Sequence, residues 1–512
     1  MIQKKINTYD DLIKKRKDDL ANDQQWVISC AFEKFRGLGL IFHVLFRDLV
    51  YWEPEHQQWL VRKNATLFWD KAEEVKARLS HVWEVLARVK GALKESIKAL
   101  EQEKKDDQAK GLERTAATIQ KRMDSLNTVS GRNQTLEFAR TLDLPGRKNE
   151  LVLEPGELDS NPVQRGTPTG AYYIDTGERI PTDRNIFPKI SLRTGADPQD
   201  VYVDCPNFEK FIDEVLGGKE DVVEYIQRVL GMAMHTQGKE EIILNWIGQG
   251  RNGKTKLINV LRHVLGDYAA TIKPELLLLT RGGGSTGPDP ETLRLRAKTH
   301  IFGSETAENQ RLNTTKLKSW VGQDCVTGRL CNSNHIIEFP FKGTIILATN
   351  NLPAAPAEDY AFWERVRVIE FPVSFVTREP TADNERPADL NIEQKLLQEA
   401  DGILAWILRG GLKWQREGLQ TPQAVLQATA DYRRDQDILA DFFEECCILE
   451  ENFSVGATSL YEAFQEWYSV NISSRHVPAQ KKFGNMLKKK NFEKKKKHGK
   501  YTYYGIGLEV SL

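Results

Sequence analysis

Cysteine is scarce: six residues in 512, at positions 30, 205, 325, 331, 446 and 447, with no C-x-x-C pair and no Cys/His ligand spacing. A disulfide framework or a structural zinc site is therefore excluded as the basis of the fold. Long apolar runs are missing too. The longest, Gly37 to Phe46, is interrupted by His43 and falls short of the roughly 18 residues that cross a bilayer, so it reads as a core segment. The opening stretch, MIQKKINTYDDLIKK, has no apolar signal region. These absences predict a reduced, cytoplasmic protein with no membrane partner. Net charge is also absent, with 72 Lys plus Arg against 72 Asp plus Glu. The chain as a whole has no general attraction for polyanions or anionic lipid.

What is present is an ordinary globular composition, 40% hydrophobic and 28% charged. At roughly 100 to 200 residues per domain the length predicts three or four units. The charge is unevenly spread. Between Arg475 and Lys500 stand eleven Lys or Arg and one acid, Glu493, so a basic end is joined to a mildly acidic body.

Phe46 to Arg62 reads as two short aromatic strands around a Pro-containing turn. From Ala72, the positions Val75, Leu79, Val82, Leu86, Val89 and Leu93 recur at intervals of three and four, the seam of a helix packed on another helix. Glu101 to Arg114 is a solvated charged helix face or a loop. Pro145 to Pro206, rich in Gly, Pro and Asp, reads as connecting structure with strand fragments such as Ala171 to Asp175. A helical pattern resumes at Asn207.

The segment that carries chemistry comes next. Ile242 to Ile247 has the apolar run of a buried strand, GQGRNGKT follows, and KLINVLRHVLG is a helical pattern. Gly248 to Thr255 fit G-x-x-x-x-G-K-[ST], with Gly248, Gly250, Asn252, Gly253, Lys254 and Thr255 as the nucleotide-binding set. Glycines let the backbone wrap a phosphate, Lys254 neutralises β- and γ-oxygens, and Thr255 can ligate Mg²⁺. A second apolar strand, Thr299 to Ser304, ends in Glu305, an acid placed to polarise the attacking water or hold the metal's water shell. A third, Thr344 to Ala348, ends in Thr349 and Asn350, an amide that can orient the water. FWERVRVIEF supplies a fourth strand, with Arg365 and Arg367 at alternate positions and hence on one face. Val326 to Leu330 and Ile336 to Phe341 read as a hairpin around CNSNH.

At the C-terminus, Asp437 to Cys447, Ser459 to Tyr468 and Ala479 to Lys490 read as three helices, followed by a hairpin over Phe492 to Gly505. That is winged-helix order. Lys481, Lys482, Lys488 and Lys489 lie off the apolar face, and Lys494 to Lys497, His498 and Lys500 populate the wing. Such lysine density binds phosphates without reading sequence.

This set of segments resembles the superfamily 3 helicases, in the phage and plasmid primase/helicase branch that includes the poxvirus primase-helicases. The matching stretches are GQGRNGKT, SETAENQRLNTTKLKSWVGQDCVTGRL, FPFKGTIILATNNLP and FWERVRVIEFPVSF, in the family's order. The resemblance runs from about Phe46 to the C-terminus. It implies that Lys254 and Thr255 are the Walker A pair, Glu305 the Walker B acid, with Thr255 and Glu305 as metal ligands, Asn350 the sensor, and Arg365 or Arg367 the arginine finger. It also implies that the hairpin projects into a ring channel, which assigns DNA contact to Lys316, Lys318, Arg329 and His335. The chain departs from the pattern twice: Glu305 stands between Ser304 and Thr306 instead of beside another acid, and Glu364 takes the place of one of two adjacent arginines.

The expected fold class is therefore α/β, a P-loop AAA+-like ATPase core with a helical N-terminal region and a C-terminal winged-helix domain. The expected divisions are 1–140 helical with an aromatic hairpin, 141–236 connecting, 237–375 the ATPase core, 376–435 a helical linker or lid, and 436–512 the basic winged helix. The expected activity is an ATP- and Mg²⁺-dependent hexameric DNA helicase of phage, plasmid or other mobile-element replication. It would act on single-stranded and forked DNA, with a separate primase or polymerase as a further partner. The first 140 residues show no acidic metal triad, so primer synthesis by this chain is not expected. Two alternatives share the loop: an ATP-dependent initiator or loader that melts only an origin, and a small-molecule kinase, against which the hairpin and lysine-rich tail argue.

Overall fold

The computed structural model describes residues 9–54, 57–63, 66–70, 72–144, 146–154, 157, 159, 161–180, 192–279, 289–304, 311–329, 336–471, 477–492, 494–497 and 500–509. At 9, 62, 63, 66–70, 72, 73, 304, 438, 482, 489 and 497 it describes the backbone alone.

The period-3.6 seam folds as its spacing dictates. Val75, Leu79, Val82, Leu86, Val89 and Leu93 are all at most 4% exposed. They lie on helices Ala72–Ala77 and Leu79–Gln102, and the chain then doubles back into helix Asp106–Leu126, whose Ala116, Ile119 and Met123 close the seam. Helices Tyr9–Asn22, Gln24–Phe32, Lys34–Phe46 and Val129–Arg140 complete this layer. The two expected aromatic strands, Val50–Glu53 and Gln58–Lys63, pair antiparallel. A third strand, Thr66–Asp70, adds to Gln58–Lys63. Its few residues run directly into the next helix and carry no turn signal to announce it.

Three short strands, Gln164–Gly166, Ala171–Tyr173 and Arg179–Ile180, form a small antiparallel sheet. Helices Pro206–Val215 and Glu220–Ala233 then lead to the central sheet. Its strands are β1 (Ile243–Ile247), β2 (Ala269–Ile272), β3 (His300–Ser304), β4 (Thr344–Thr349) and β5 (Val366–Glu370), all parallel, in the order β5-β1-β4-β3-β2. Alternate residues go to opposite faces. Leu244, Trp246, Ile346 and Ala348 join the core beneath helices Lys254–Leu265 and Ala400–Glu417. Ile243, Ile301, Ile345 and Leu347 join a second core with Leu317, Trp320 and Phe362. Both faces are covered, which is why these strands are nearly all apolar. The protein is thus mixed α/β with a parallel sheet and helices around it.

Helix Glu220–Ala233 meets helix Ala400–Glu417 backbone to backbone at Gly231, where a Cβ would come within 1.9 Å of Gly411 N. The N-terminal layer is fastened to the sheet region by Glu53, whose carboxylate accepts from Arg296 at 2.9 Å, the two side chains being 3% and 13% exposed.

The C-terminal part has helices Ile438–Cys446, Ala457–Asn471 and Gln480–Lys489 and a hairpin of Lys494–Lys497 with Lys500–Tyr504, extended by Ser454–Gly456. Phe442, Phe464, Phe483, Leu487 and Tyr503 form its buried centre, with Phe464 and Phe483 stacked at 4.4 Å. Among the described residues no helix is long and apolar enough to cross a membrane.

Candidate nucleotide site and nucleic-acid interface

The C-terminal ends of β1 and β4 stand side by side, Ile247 opposite Thr349, with Ser304 of β3 opposite Ala348. The glycine-rich loop leaves β1 here and enters helix Lys254–Leu265. Gly250 and Gly253 take φ of +94° and +81°, in the left-handed region that glycine enters without a Cβ clash. At Gly253 a Cβ would also strike Val215 Cγ1 at 2.8 Å and Phe211 Cζ at 3.1 Å. The loop is thus tied to helix Pro206–Val215.

Lys254 is 7% exposed. Its ammonium donates to Gly248 O at 2.7 Å, Asn252 Oδ1 at 3.2 Å and Asn350 Oδ1 at 3.3 Å. The fold thus brings together the loop and the β4-end amide, residues 96 positions apart in the chain. Asn252 works at both ends, since its Nδ2 donates to Phe371 O at 3.1 Å just beyond β5. Thr255 is exposed at the first turn of the helix. Glu305 lies outside the described residues. Among the described residues no group of three or more His, Cys, Asp and Glu side chains could hold a metal ion. A loop with a buried ammonium, left-handed glycines at 250 and 253 and an exposed threonine has donors of the kind a nucleotide and its Mg²⁺ would use.

The arginines are placed differently from the sequence expectation. Only Arg367 lies in β5. Arg365 precedes the strand, in the turn that leaves helix Tyr360–Trp363, where its N–H donates to Phe362 O at 3.0 Å. Val366 pairs with Ile243, so Arg365 stands below the level of Ile247 by four strand residues and more, or over about 13 Å. Neither arginine is at the phosphate loop of its own chain. Arg365 Nε donates to Glu241 at 2.9 Å and its Nη2 bonds the same oxygen. Arg367 Nη1 donates to Glu364 O at 2.9 Å and Val366 O at 2.7 Å. No motif marks Glu241 in the sequence.

The hairpin between the second and third motifs is present as Cys325–Arg329 paired with Ile336–Pro340. Arg329 ends its first strand, and His335 lies outside the described residues. Lys316 and Lys318 are on the preceding helix, Thr314–Val321, and both turn inward. Lys316 donates to Leu276 O at 2.9 Å and sits 4.6 Å from the Trp320 ring centroid; burial holds its ammonium below the ordinary lysine value, against the opposing pull of Asp289. Lys318 bonds both oxygens of Asp359 at 2.9 Å.

In the C-terminal part Lys481 and Lys488 are exposed on helix Gln480–Lys489, whose backbone also carries Lys482 and Lys489. On the hairpin Lys494 lies 4.9 Å from the Tyr501 ring centroid and Lys495 5.9 Å from that of Tyr504. Tyr504, at 40% exposure, stands on the face opposite to buried Tyr503. Lysine spacing marks this region in the sequence; the tyrosines between the lysines carry no such signal.

Two families match by sequence profile: "D5 N terminal like" over residues 39–217 and "Poxvirus D5 protein-like" over residues 434–505. Over these two stretches the chain is similar to the D5 families. A protein of Acanthamoeba polyphaga mimivirus, provisionally named a helicase, is 26% identical to this chain over 372 residues, covering 69% of this chain and 38% of that one. A provisionally named helicase of Frog virus 3 is 28% identical over 49% of this chain and 26% of its own. A provisionally named primase of African swine fever virus (strain Badajoz 1971 Vero-adapted) is 27% identical over 49% of this chain and 27% of its own. The chain thus spans well under half the length of these curated relatives. The apo structure of the NrS-1 C terminal region (A form) aligns over 90% of this chain and 96% of that one, at 11% identity and a TM-score of 0.44. The two D5 matches flank the central sheet, so its chemistry rests on its own geometry.

Proposed function

We propose that this chain is an ATP- and Mg²⁺-dependent DNA helicase that works as a ring and moves along single-stranded DNA. The supporting observation is the meeting of Lys254, Asn252 and Asn350 at the C-terminal edge of a parallel sheet, while the arginines stand at its other end. Such a site suits a triphosphate beside Lys254, and because Arg365 and Arg367 stand away from it within one chain, this reading has a neighbouring copy supply the further arginine. In this reading the central sheet is a P-loop, AAA+-like core and the C-terminal part is a winged helix.

The β- and γ-phosphates lie against the loop amides at the start of helix Lys254–Leu265, where oriented N–H groups favour anions. Lys254 exchanges its loop acceptors for phosphate oxygens. Thr255 and Glu305 would hold Mg²⁺, which would supply positive charge at those oxygens. Glu305 polarises a water that Asn350 orients. The water oxygen bonds phosphorus as the bridging P–O bond breaks, its proton passing by way of Glu305 to a phosphate oxygen, leaving ADP and phosphate. Arg365 or Arg367 of the next copy stabilises the charge of the transition state, an effect worth about 10³ to 10⁵ in rate.

The test is strand displacement on a forked substrate without origin sequence, together with ATP hydrolysis with and without single-stranded DNA. Displacement and stimulated hydrolysis are expected from the wild type, and Lys254→Ala abolishes both. Hydrolysis indifferent to oligonucleotides removes the reading. Origin-only melting replaces it with an initiator or loader.

A further inference from the structure

Lys318 joins two segments that the proposed cycle needs to move together. Its ammonium bonds both carboxylate oxygens of Asp359, in a pair whose side chains are 29% and 19% exposed. Asp359 caps helix Tyr360–Trp363, accepting from Phe362 N at 3.3 Å. Arg365 follows that helix and returns a bond from Nη1 to Ala361 O at 2.7 Å. On the other side, the helix carrying Lys318 also carries Trp320, which stacks on Phe341 with centroids 4.8 Å apart. Phe341 is the first residue beyond the hairpin's second strand, and both rings are at most 3% exposed. A continuous run of bonded and packed groups therefore leads from the arginine turn to the hairpin root.

We propose that the Lys318–Asp359 pair is a positioning link that carries the state of the arginine turn to the hairpin, and that Lys318 is not a DNA contact. The proposal rests on the helicase reading. A DNA phosphate would have to strip the lysine from a carboxylate that holds it with two bonds. That exchange is unfavourable because it leaves a half-buried acid unpaired. Burial works against the charge of Asp359, but the Lys318 ammonium and the Thr314 hydroxyl outweigh it and hold the carboxyl below its ordinary value. The Asp359 side of the link is thus held in its carboxylate form.

The experiment compares wild type, Lys318→Ala, Asp359→Asn and the double variant Lys318→Asp/Asp359→Lys. Three quantities are read: oligonucleotide affinity, DNA-stimulated ATP hydrolysis, and base pairs opened per ATP consumed. In each single variant the last ratio is expected to fall roughly two- to thirty-fold, the range over which coupling residues act. Oligonucleotide affinity stays at the wild-type value, and the double variant recovers part of the ratio. If Lys318→Ala weakens oligonucleotide binding while Asp359→Asn does not, Lys318 is a DNA contact and the link is overturned. A wild-type ratio in both single variants overturns it as well. Should Asp359→Asn fail to fold for want of the carboxylate that Lys318 bonds, Lys318→Met, which leaves Asp359 in place, decides between the same outcomes. A wild type that neither hydrolyses ATP nor displaces a strand is a different result, and removes the helicase reading itself.

Discussion

A buried ammonium needs acceptors, and Lys254 has three in Gly248 O, Asn252 Oδ1 and Asn350 Oδ1. Leaving such a charge unpaired costs several kcal/mol, on the order of 3 to 5. The loop is therefore held in shape by the group that phosphate would recruit. Two other buried groups make stability depend on pH. His300 is fully buried between Thr299 Oγ1 and Leu230 O, and His235 is 5% exposed. Burial drives the His300 imidazole down to about 3 and that of His235 to about 4, with Arg165 adding to the effect in both. Both rings are thus neutral in the folded chain and protonate first when it unfolds, since an unfolded histidine titrates near 6.5. The unfolded state then binds more protons, so stability falls as pH drops through about 6.5 and keeps falling toward those two values. The slope is on the order of 1 kcal/mol per pH unit for each ring. Thermal unfolding followed from about pH 7 to about pH 4.5 should show a falling melting temperature, with a shallower fall in His235→Gln. A fall of the same slope in that variant contradicts the assignment of His235.

The basic hairpin is an element whose charge and aromatic surface alternate. Lys495 pairs with Thr502, Lys497 with Lys500, and Tyr504 with Ser454, so one sheet face carries lysine, hydroxyl and tyrosine positions without a carboxylate among its described residues. Lysines on such a face neutralise phosphates and release counterions. Replacing Lys495 and Lys500 with Gln should therefore lower the slope of log affinity against log salt by about 0.7 to 0.9 for each phosphate left without its lysine. Titrations of an oligonucleotide at several salt concentrations measure that slope. An unchanged slope would show that these lysines serve only solubility. The lysines were visible in the sequence because charge runs need no partner to be seen. The helices beneath them were visible too, since apolar pairs at helical spacing, Phe464 with Trp467 and Phe483 with Leu487, mark two of them. Glu241 and Asp359 were not visible, because what gives them meaning is Arg365, 124 positions away from Glu241, and Lys318, 41 positions away from Asp359. The same applies to Lys316 and Lys318. As letters they resemble DNA contacts, and only the fold shows that Trp320 and Asp359 hold them.

For the whole molecule the placement of Arg365 and Arg367 sets the test. If a neighbour's site takes one of them, rings mixed from Arg365→Ala and Lys254→Ala subunits contain junctions with an intact loop facing an intact arginine. Hydrolysis should then recover in part relative to either variant alone. Mixed assemblies with no recovery count against Arg365 acting in trans and leave Arg367 to the same assay. The strand order β5-β1-β4-β3-β2 could not be read from motifs alone, since spacing gives the sequence of strands but not their neighbours. Apolar runs of five or six residues did disclose that the sheet was covered on both sides.

Glu53 and Arg296 have a mechanical consequence. Two opposite charges shut away from water resist gradual sliding, because an intermediate position strands each of them without a counter-ion, at roughly 3 to 5 kcal/mol for one lost partner. The helical front portion is consequently clamped to the loop before β3, so that a swing of that loop would carry the strand of Glu53 with it.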